Sequence, residues 1–189
     1  AKGTFDTYAY VSETDATTYC GFLNLNRTTY ATGADELGKS AKTDADKARA
    51  EFAMLNQHFR LAVVQAIDRG TYNAQSVGED LKFNSLVNTY TPGTYVNLAE
   101  ETTVKINGVD KTYAAGTFYG QIMQDQLDAD GIKIKAWDPT AEDGQGSTDG
   151  FDGWYNADNA AAYMAAAIEE LAAKGIEISK ENPIYLDLP

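Results

Sequence analysis

Two side chains in this sequence are of the types used for nucleophilic and acid–base chemistry near neutral pH, and each occurs once: Cys20 and His58. A Ser-His-Asp or Cys-His mechanism would have to use His58, and the neighbouring sequence offers it no evident partner. No family signature of a reactive cysteine surrounds Cys20, and a single cysteine excludes both an internal disulfide and a multi-cysteine zinc site. We therefore predict a structural or surface role for His58 and a buried, unreactive thiol for Cys20.

Aspartates in the glycine-rich segment 138–153 are the next group that could do chemistry. They are Asp138, Asp143, Asp149 and Asp152. A calcium ion prefers about six to eight oxygen ligands, but the segment lacks the D-x-[DN]-x-[DN]-G spacing, so we predict a solvated loop. Nothing in the sequence singles out two carboxylates as a glycosidase pair, whose separation in space must be known. The phosphate-binding patterns GxxxxGK[ST] and GxGxxG are also absent.

The charge balance limits the classes of partner. Lys and Arg total 15 and Asp and Glu total 28, which gives a formal charge of −13. Such a chain repels nucleic-acid phosphates and anionic lipid head groups, so we predict no nucleic-acid partner. With 189 residues, of which 43% are apolar, the chain is long enough to bury a core. We expect a single domain over residues 1–189.

Aromatic residues outside the periodic segments are the remaining hint of function. They are Tyr30, Tyr90, Tyr95, Phe151, Trp154 and Tyr155. Such residues can line a binding surface, because each offers a large rigid contact area, often with a polar tip. They can equally attach loops to the core, and both interpretations stay open at this stage. Residue chemistry therefore points to binding more than to catalysis.

Helices are predicted where apolar residues recur every three to four positions. Thr43 or Asp44 is a suitable N-cap for the first helix. A second apolar run over 59–67 covers most of the helix circumference, so we expect it to be deeply buried. Three further helices are predicted, over 71–77, 118–131 and 156–175, the last capped by Asn156.

Strands and turns are predicted from composition and from glycine pairs. β-branched and aromatic residues predict a strand over 17–26, in which Cys20 and Phe22 face a core. Asn107-Gly108, between two short strand patterns, indicates a hairpin, and Pro92-Gly93 suits the centre of a type II turn. Two more strands are predicted, over 132–137 and 183–188. Interleaved helices and strands indicate an α/β or mixed α+β fold.

Several segments, in order along the chain, together resemble the family 5 extracellular solute-binding proteins, the oligopeptide-binding components of ABC importers. The most specific segment is Arg60–Arg69 (RLAVVQAIDR), which has an Arg, a helical turn and a half, and Ile-Asp-Arg at the family's spacing. Within it we expect Asp68 to cap the next helix and the arginines to hold loops. The other matching segments are 19–26, 88–96, 155–176 and 183–189, with Asn156-Ala157 where Asp-Pro is usual.

The resemblance implies one lobe of a periplasmic-binding-protein-like (type II) fold, truncated. Residues 1–189 would form part of the second lobe of a larger two-lobed protein, and we expect the chain to be an excerpt of it. In the family, two lobes close on a peptide by a hinge motion. The family's Trp-x-x-Asp segment, whose Asp contacts the peptide's free amine, lies beyond the final strand and is not in this chain.

The same resemblance implies a binding protein and not an enzyme. Its expected partners are an oligopeptide ligand and the transmembrane subunits of an ABC importer. Its expected location is extracytoplasmic, either the periplasm or the cell surface as a lipoprotein. No metal and no cofactor is predicted.

Five ligand-binding residues are predicted: Asn24, Tyr90, Tyr95, Trp154 and Tyr155. Asn24 comes from the strand end that matches the family, and the aromatic residues come from their loop positions. Two other functions stay open. A carbohydrate-binding or adhesive surface module would use the same loop aromatics, and a glycoside hydrolase fragment would need a carboxylate pair with a bell-shaped pH–rate profile.

Overall fold

The computed structural model describes residues 20–25 and 43–186. The described part contains helices and one antiparallel strand pair, which agrees with the predicted mixture of helix and strand. In chain order the elements are α1 (Asp44–Leu55), α2 (Gln57–Gln65), α3 (Arg69–Val77), a 3-10 turn (Glu79–Leu81), β1 (Thr102–Ile106), β2 (Val109–Tyr113), α4 (Tyr119–Ala129), α5 (Ala141–Gly144) and α6 (Ala157–Ala172). Within these ranges, none of the helices combines the length and apolarity needed to cross a membrane.

The starts of four helices are set by polar side chains next to them in sequence. Thr43 and Asp46 form a capping box at α1, because the Thr43 hydroxyl accepts from the Asp46 amide and the Asp46 carboxylate accepts from the Thr43 amide. Asn56, Asp68 and Asn156 cap α2, α3 and α6 in turn, each accepting a backbone N–H three residues ahead. The predicted caps at residues 43, 68 and 156 are confirmed.

The core forms where α2 packs against α6. The fully or almost fully buried residues of this cluster are Ala53, Phe59, Ala167 and Leu171. The expected deep burial of the whole 59–67 run is wrong. Only one face of α2 is buried, through Phe59, Ala62 and Gln65, while Ile67 beyond the helix end is half exposed.

The hairpin predicted at Asn107-Gly108 is confirmed. β1 and β2 pair antiparallel from Thr102 opposite Tyr113 to Ile106 opposite Val109, which leaves a two-residue turn. Asn107 and Gly108 have φ values of 48° and 82°. Positive φ at both central residues is the signature of a type I′ turn, and Asn and Gly tolerate it best.

Three predicted strands are not strands in the described residues: 20–25, 132–137 and 183–186. The middle one has a visible reason. The Gln124 side chain on α4 accepts from the amides of Ala136 and Trp137 and donates to the Ile134 carbonyl, while the Lys135 amide donates to the Gly153 carbonyl. These contacts satisfy the backbone of the segment without a strand partner.

The first described segment also departs from expectation. Cys20 is exposed and the Phe22 side chain is 82% exposed, so the prediction that both face a core is wrong. Residues 20–25 are not assigned to a strand, and none of them is buried. The alternation of apolar residues therefore does not produce a buried face in this segment.

The predicted type II turn at Pro92-Gly93 is also wrong. Gly93 does not have the positive φ that a type II turn requires at its third position. Instead, the Tyr95 amide donates to the Pro92 carbonyl at 3.0 Å, so the turn begins at Pro92. A glycine is required here for space, because a Cβ at residue 93 would lie 2.4 Å from Cγ2 of Thr148.

Candidate functional site

Arg69, the first residue of α3, connects this helix to two other segments, one at residues 87–88 and one at residue 152. Its Nε and Nη2 donate to Oδ1 of Asp152 at 3.0 and 2.6 Å, and its Nη1 donates to the Val87 carbonyl at 2.8 Å. Its Nη2 also contacts Oδ1 of Asn88 at 2.5 Å. The prediction that the arginines of the 60–69 block hold loops is confirmed for Arg69. Arg60 instead donates to the carbonyl of Met54 in the last turn of α1.

Asn88 is the buried centre of this arrangement, with all of its side-chain groups engaged. Its Nδ2 donates to the carbonyls of Thr148 and Phe151, at 2.8 and 2.9 Å. Its Oδ1 accepts from the Gly153 amide at 3.0 Å as well as from Arg69. One amide side chain therefore joins the segment before residue 90 to the segment around residue 150.

Asp152 carries the negative charge of the site. Its side chain is 7% exposed, and it accepts from the backbone amides of Arg69, Trp154 and Tyr155. Burial alone would raise the pKa of Asp152, but the hydrogen bonds and charge of Arg69, together with the two later amides, hold its pKa below the ordinary value. The carboxylate is therefore ionised and paired.

The Arg69–Asp152 pair predicts a loss of stability in acid. Because folding lowers the pKa of Asp152 below its ordinary 3.8, the pair's contribution is complete above that value and is lost as the pH falls below it. In urea unfolding, wild-type protein should therefore lose stability more steeply below pH 3.8 than Asp152→Asn, which cannot titrate at this position. Parallel pH profiles for the two proteins would contradict this assignment.

Segment 88–96 is fixed at both ends by these contacts. At one end the indole N–H of Trp154 donates to the Asn88 carbonyl at 2.9 Å. Further along, the Gly93 amide donates to Oγ1 of Thr148 at 2.8 Å, the Gly120 amide donates to the Gly93 carbonyl, and the Tyr119 amide donates to the Val96 carbonyl. The backbone of this loop is therefore held by the packed part of the molecule.

The buried indole of Trp137 packs against the backbone of the same loop at Gly93. A Cβ added at Gly93, Gly120 or Gly146 would come within 3.0 Å of a Trp137 ring atom. The ring therefore packs directly against the backbone of three glycines. A side chain at any of these positions would prevent this close contact with the ring.

Two tyrosines project from this fixed loop into solvent. Tyr90 is 79% exposed and Tyr95 is 80% exposed, although Thr89 before them and Gly93 between them are buried. The hydroxyl of Thr89 donates to the Thr91 carbonyl at 2.5 Å, which constrains the backbone on both sides of Tyr90. A fixed backbone that exposes large aromatic rings is suited to contact another molecule, because little conformational entropy is lost on binding.

The structure brings some of the predicted binding residues together and separates others. Tyr90, Tyr95 and Trp154 belong to one region, since Trp154 holds the loop that carries the two tyrosines. Trp154 thus uses its polar donor as a loop anchor. Tyr155 follows it, with a 41% exposed side chain. Asn24 is exposed in the segment 20–25, which stands apart in sequence, and its part in binding remains a prediction, as do those of the other four.

The prediction of a solvated acidic loop over 138–153 is wrong for Asp152, which is buried and paired. Asp138 and Asp149 also have specific hydrogen-bond partners. Asp138 contacts Lys135 and Thr140, and these hydrogen bonds lower its pKa to about 2. Burial raises the pKa of Asp149, against a hydrogen bond from Thr148. Among the described residues no cluster of His, Cys, Asp and Glu could hold a metal ion.

His58 has a partner that lies far from it in the sequence. Its Nδ1 lies 2.8 Å from Oε1 of Glu170, and Asn56 donates to Oε2 of the same carboxylate at 2.7 Å. The hydrogen bond from Asn56, ahead of that from His58, lowers the pKa of Glu170. The His58 ring also stacks on Tyr163 with 5.6 Å between centroids. These contacts join α2 to α6, which is the structural role predicted for His58.

Sequence reasoning missed Asn88, Thr148 and Gly153, which build the site. A signal was present only for Arg69, through its position at the end of the Ile-Asp-Arg pattern. Asn88 resembles an ordinary turn residue in the sequence, because one of its partners lies 19 residues earlier and the others lie 60 to 65 residues further along the chain. Only the folded chain reveals that the asparagine is buried and fully hydrogen-bonded.

Comparison with known proteins gives relatives of one kind. AmiA of Streptococcus pneumoniae, an oligopeptide-binding protein by name, is 32% identical over 150 residues, which is 79% of this chain and 18% of AmiA. The oligopeptide-binding protein SarA of Streptococcus gordonii is 29% identical over 175 residues, covering 93% of this chain and 21% of SarA. AliA of Streptococcus pneumoniae, also named an oligopeptide-binding protein, is 29% identical over 188 residues, covering 100% of this chain and 23% of AliA.

These matches cover between 79% and 100% of this chain but only 18% to 23% of each relative. The chain spans about a fifth of the length of the curated relatives it matches. No protein-family model matches it.

Proposed function

Because this chain is a relative of the oligopeptide-binding solute-binding proteins, we propose that it is a segment of a protein that captures oligopeptides outside the cell for an ABC importer. The observation that carries the proposal is the match of most of the chain to several proteins named for oligopeptide binding. The function is binding, without catalysis. The chain would be part of the second lobe of a type II periplasmic-binding-protein-like fold. We propose the periplasm or a lipid-anchored position on the cell surface as its location.

Within this proposal, the fixed loop 88–96 is the part of the described chain that contacts the peptide. A ligand with variable side chains is best held by rigid groups that make few sequence-specific demands. Tyr90 and Tyr95 provide apolar ring faces and hydroxyl groups on a backbone that is already ordered. Peptide backbones present the same N–H and C=O groups whatever their sequence, and tyrosine hydroxyls can pair with either.

The proposal predicts that Tyr90→Ala, made in a full-length protein that contains this chain, weakens peptide binding. We expect the dissociation constant to rise by about five- to tenfold, as for other exposed aromatic anchors. Calorimetry with a synthetic peptide copied from the bound material would measure the change. Tyr72→Ala is the matched control, because Tyr72 is 74% exposed but lies on α3 outside the loop. An unchanged constant for Tyr90→Ala would remove this residue from the site.

Mass spectrometry of small molecules released by denaturing the purified full-length protein tests the function itself. A ladder of mixed peptides supports oligopeptide capture and gives the preferred length. A single species that is not a peptide would overturn the proposed ligand class. Release of sugars, or ligand binding by the 189-residue chain alone, would favour the carbohydrate-binding or adhesive alternative instead.

A further inference from the structure

The hairpin turn has a second role at the end of another helix. Asn107 donates from Nδ2 to the Ala129 carbonyl at 2.6 Å and to Oδ1 of Asp130 at 3.0 Å. Ala129 is the last residue of α4, so the Asn107 amide satisfies one of the helix's terminal carbonyls. One side chain thus both forms the turn and attaches the hairpin to α4.

A second contact joins the same two elements. Nζ of Lys111 on β2 lies 2.6 Å from Oδ2 of Asp125 on α4. The hairpin itself is largely exposed, with only Ile106 and Tyr113 buried among its strand residues. An isolated two-stranded hairpin is marginally stable at best. Its attachment to α4 through Asn107 and Lys111 is therefore important for its order.

Asn107 is also the only asparagine in the sequence that is followed by glycine. In such a pair the backbone nitrogen of Gly108 can attack Cγ of Asn107, because glycine has no side chain to hinder the approach. The new N–Cγ bond closes a succinimide ring, the Cγ–Nδ2 bond breaks, and Nδ2 leaves as ammonia with the proton from the Gly108 nitrogen. Water then opens the ring at either carbonyl, giving aspartate or isoaspartate.

We propose that Asn107 is a spontaneous deamidation site whose reaction is limited by release of its side chain from α4. The leaving atom is Nδ2, the same atom that donates to Ala129 and Asp130. The turn also holds Asn107 at φ 48° and keeps its amide directed at the helix end. Both contacts must be given up before ammonia can leave, so local opening of the hairpin precedes the reaction.

The product cannot restore the attachment. An aspartate at this position has no N–H to donate, and it places a carboxylate against the carboxylate of Asp130. It also faces the carbonyl end of α4, which carries the negative end of the helix dipole. Deamidation therefore changes the hairpin from an attached to a released state without any cleavage of the chain.

The first test compares deamidation in the folded 189-residue chain and in the same chain in concentrated urea, at one mildly alkaline pH. Peptide mass spectrometry would follow the gain of one mass unit at Asn107, with Asn84-Ser85 as an internal reference site. We expect the folded chain to react about tenfold more slowly or slower still. Equal rates in the two conditions, or no reaction at Asn107 in urea, would overturn the proposal.

The second test examines the helix contact directly. Asp130→Ala removes one acceptor of the Asn107 amide, so deamidation of the folded chain should be a few times faster than in wild type. Asp128→Ala is the matched control, since it removes a charge from the same helix end but its carboxylate accepts from Gln124 and not from Asn107. Equal rates for the two variants would overturn the gating role of the contact.

The third test examines the product. Asn107→Asp should make the amides of β1 and β2 exchange with solvent about tenfold faster than in wild type. Asn107→Gly keeps a residue that tolerates the turn but removes the donor without adding charge, so we expect an intermediate rate. Wild-type exchange in Asn107→Asp would overturn the proposed release of the hairpin.

Discussion

Replacing Arg69 by methionine is expected to lower the free energy of unfolding by about 3 kcal/mol, the lower end of the range for breaking a buried ion pair. The variant leaves the Asp152 carboxylate, 7% exposed, with its backbone donors but no cation. It also removes the donors to the Val87 carbonyl and to Asn88. We expect a value at the lower end of that range because the Arg69 side chain is 27% exposed, so water partly screens the pair. Urea denaturation of the 189-residue chain would measure the loss.

Lys105→Met is the matched control for this prediction. Lys105 also pairs with an aspartate, Asp110, but both side chains are about two-thirds exposed. Water screens such a pair, so we expect a loss of about 0.5 kcal/mol or less. If Arg69→Met cost no more than this control, the Arg69–Asp152 pair would not organise the site.

Gly153→Ala is expected to be at least as damaging, with a loss of about 3 kcal/mol or more. A Cβ at residue 153 would lie 1.7 Å from the backbone oxygen of Lys135, so the backbone segments around these two residues must move apart. Separation breaks the hydrogen bond from the Lys135 amide to the Gly153 carbonyl and that from the Gly153 amide to Asn88. Thermal or urea unfolding would record the loss, and exchange of the Lys135 amide would locate it.

Two other glycines separate this steric cause from a general effect of substitution. Gly21 has open space around it and no positive φ, so Gly21→Ala should change stability by no more than about 0.5 kcal/mol. Gly116 also has open space but has φ +84°, so Gly116→Ala should cost about 1 to 2 kcal/mol from backbone strain alone. Similar losses for Gly153→Ala and Gly116→Ala would argue against the close contact with Lys135.

Peptide-binding relatives were recognisable from the sequence because order and spacing of several short segments are kept in the chain itself. The comparisons confirm that recognition through proteins named for oligopeptide binding. The proposed ligand-binding residues are harder to predict from the sequence. Aromatic character in a loop predicts Tyr90 and Tyr95 as ligand contacts, and both residues are exposed. The same reasoning predicts Trp154 as a ligand contact, but its indole N–H anchors the loop.

Local chemistry by itself determined the helix starts and the hairpin. Thr43, Asp68 and Asn156 cap their helices through hydrogen bonds to residues three positions away, and Asn107-Gly108 meets the φ requirement of its own turn. Each of these interactions is complete within a few residues, so the sequence contains all of its participants.

Tertiary structure alone decided which polar residues became the site and which apolar runs became strands. Arg69 and Asp152 are 83 positions apart, and no local pattern marks them as partners. The alternation over 132–137 predicts a strand. In the structure, the Gln124 side chain and the Gly153 carbonyl take up hydrogen bonds of this backbone that a neighbouring strand would otherwise make. Backbone groups must be paired when they are buried, but any donor or acceptor that the fold places nearby can pair with them. That choice depends on the packing of the whole chain, which spacing along the sequence does not encode.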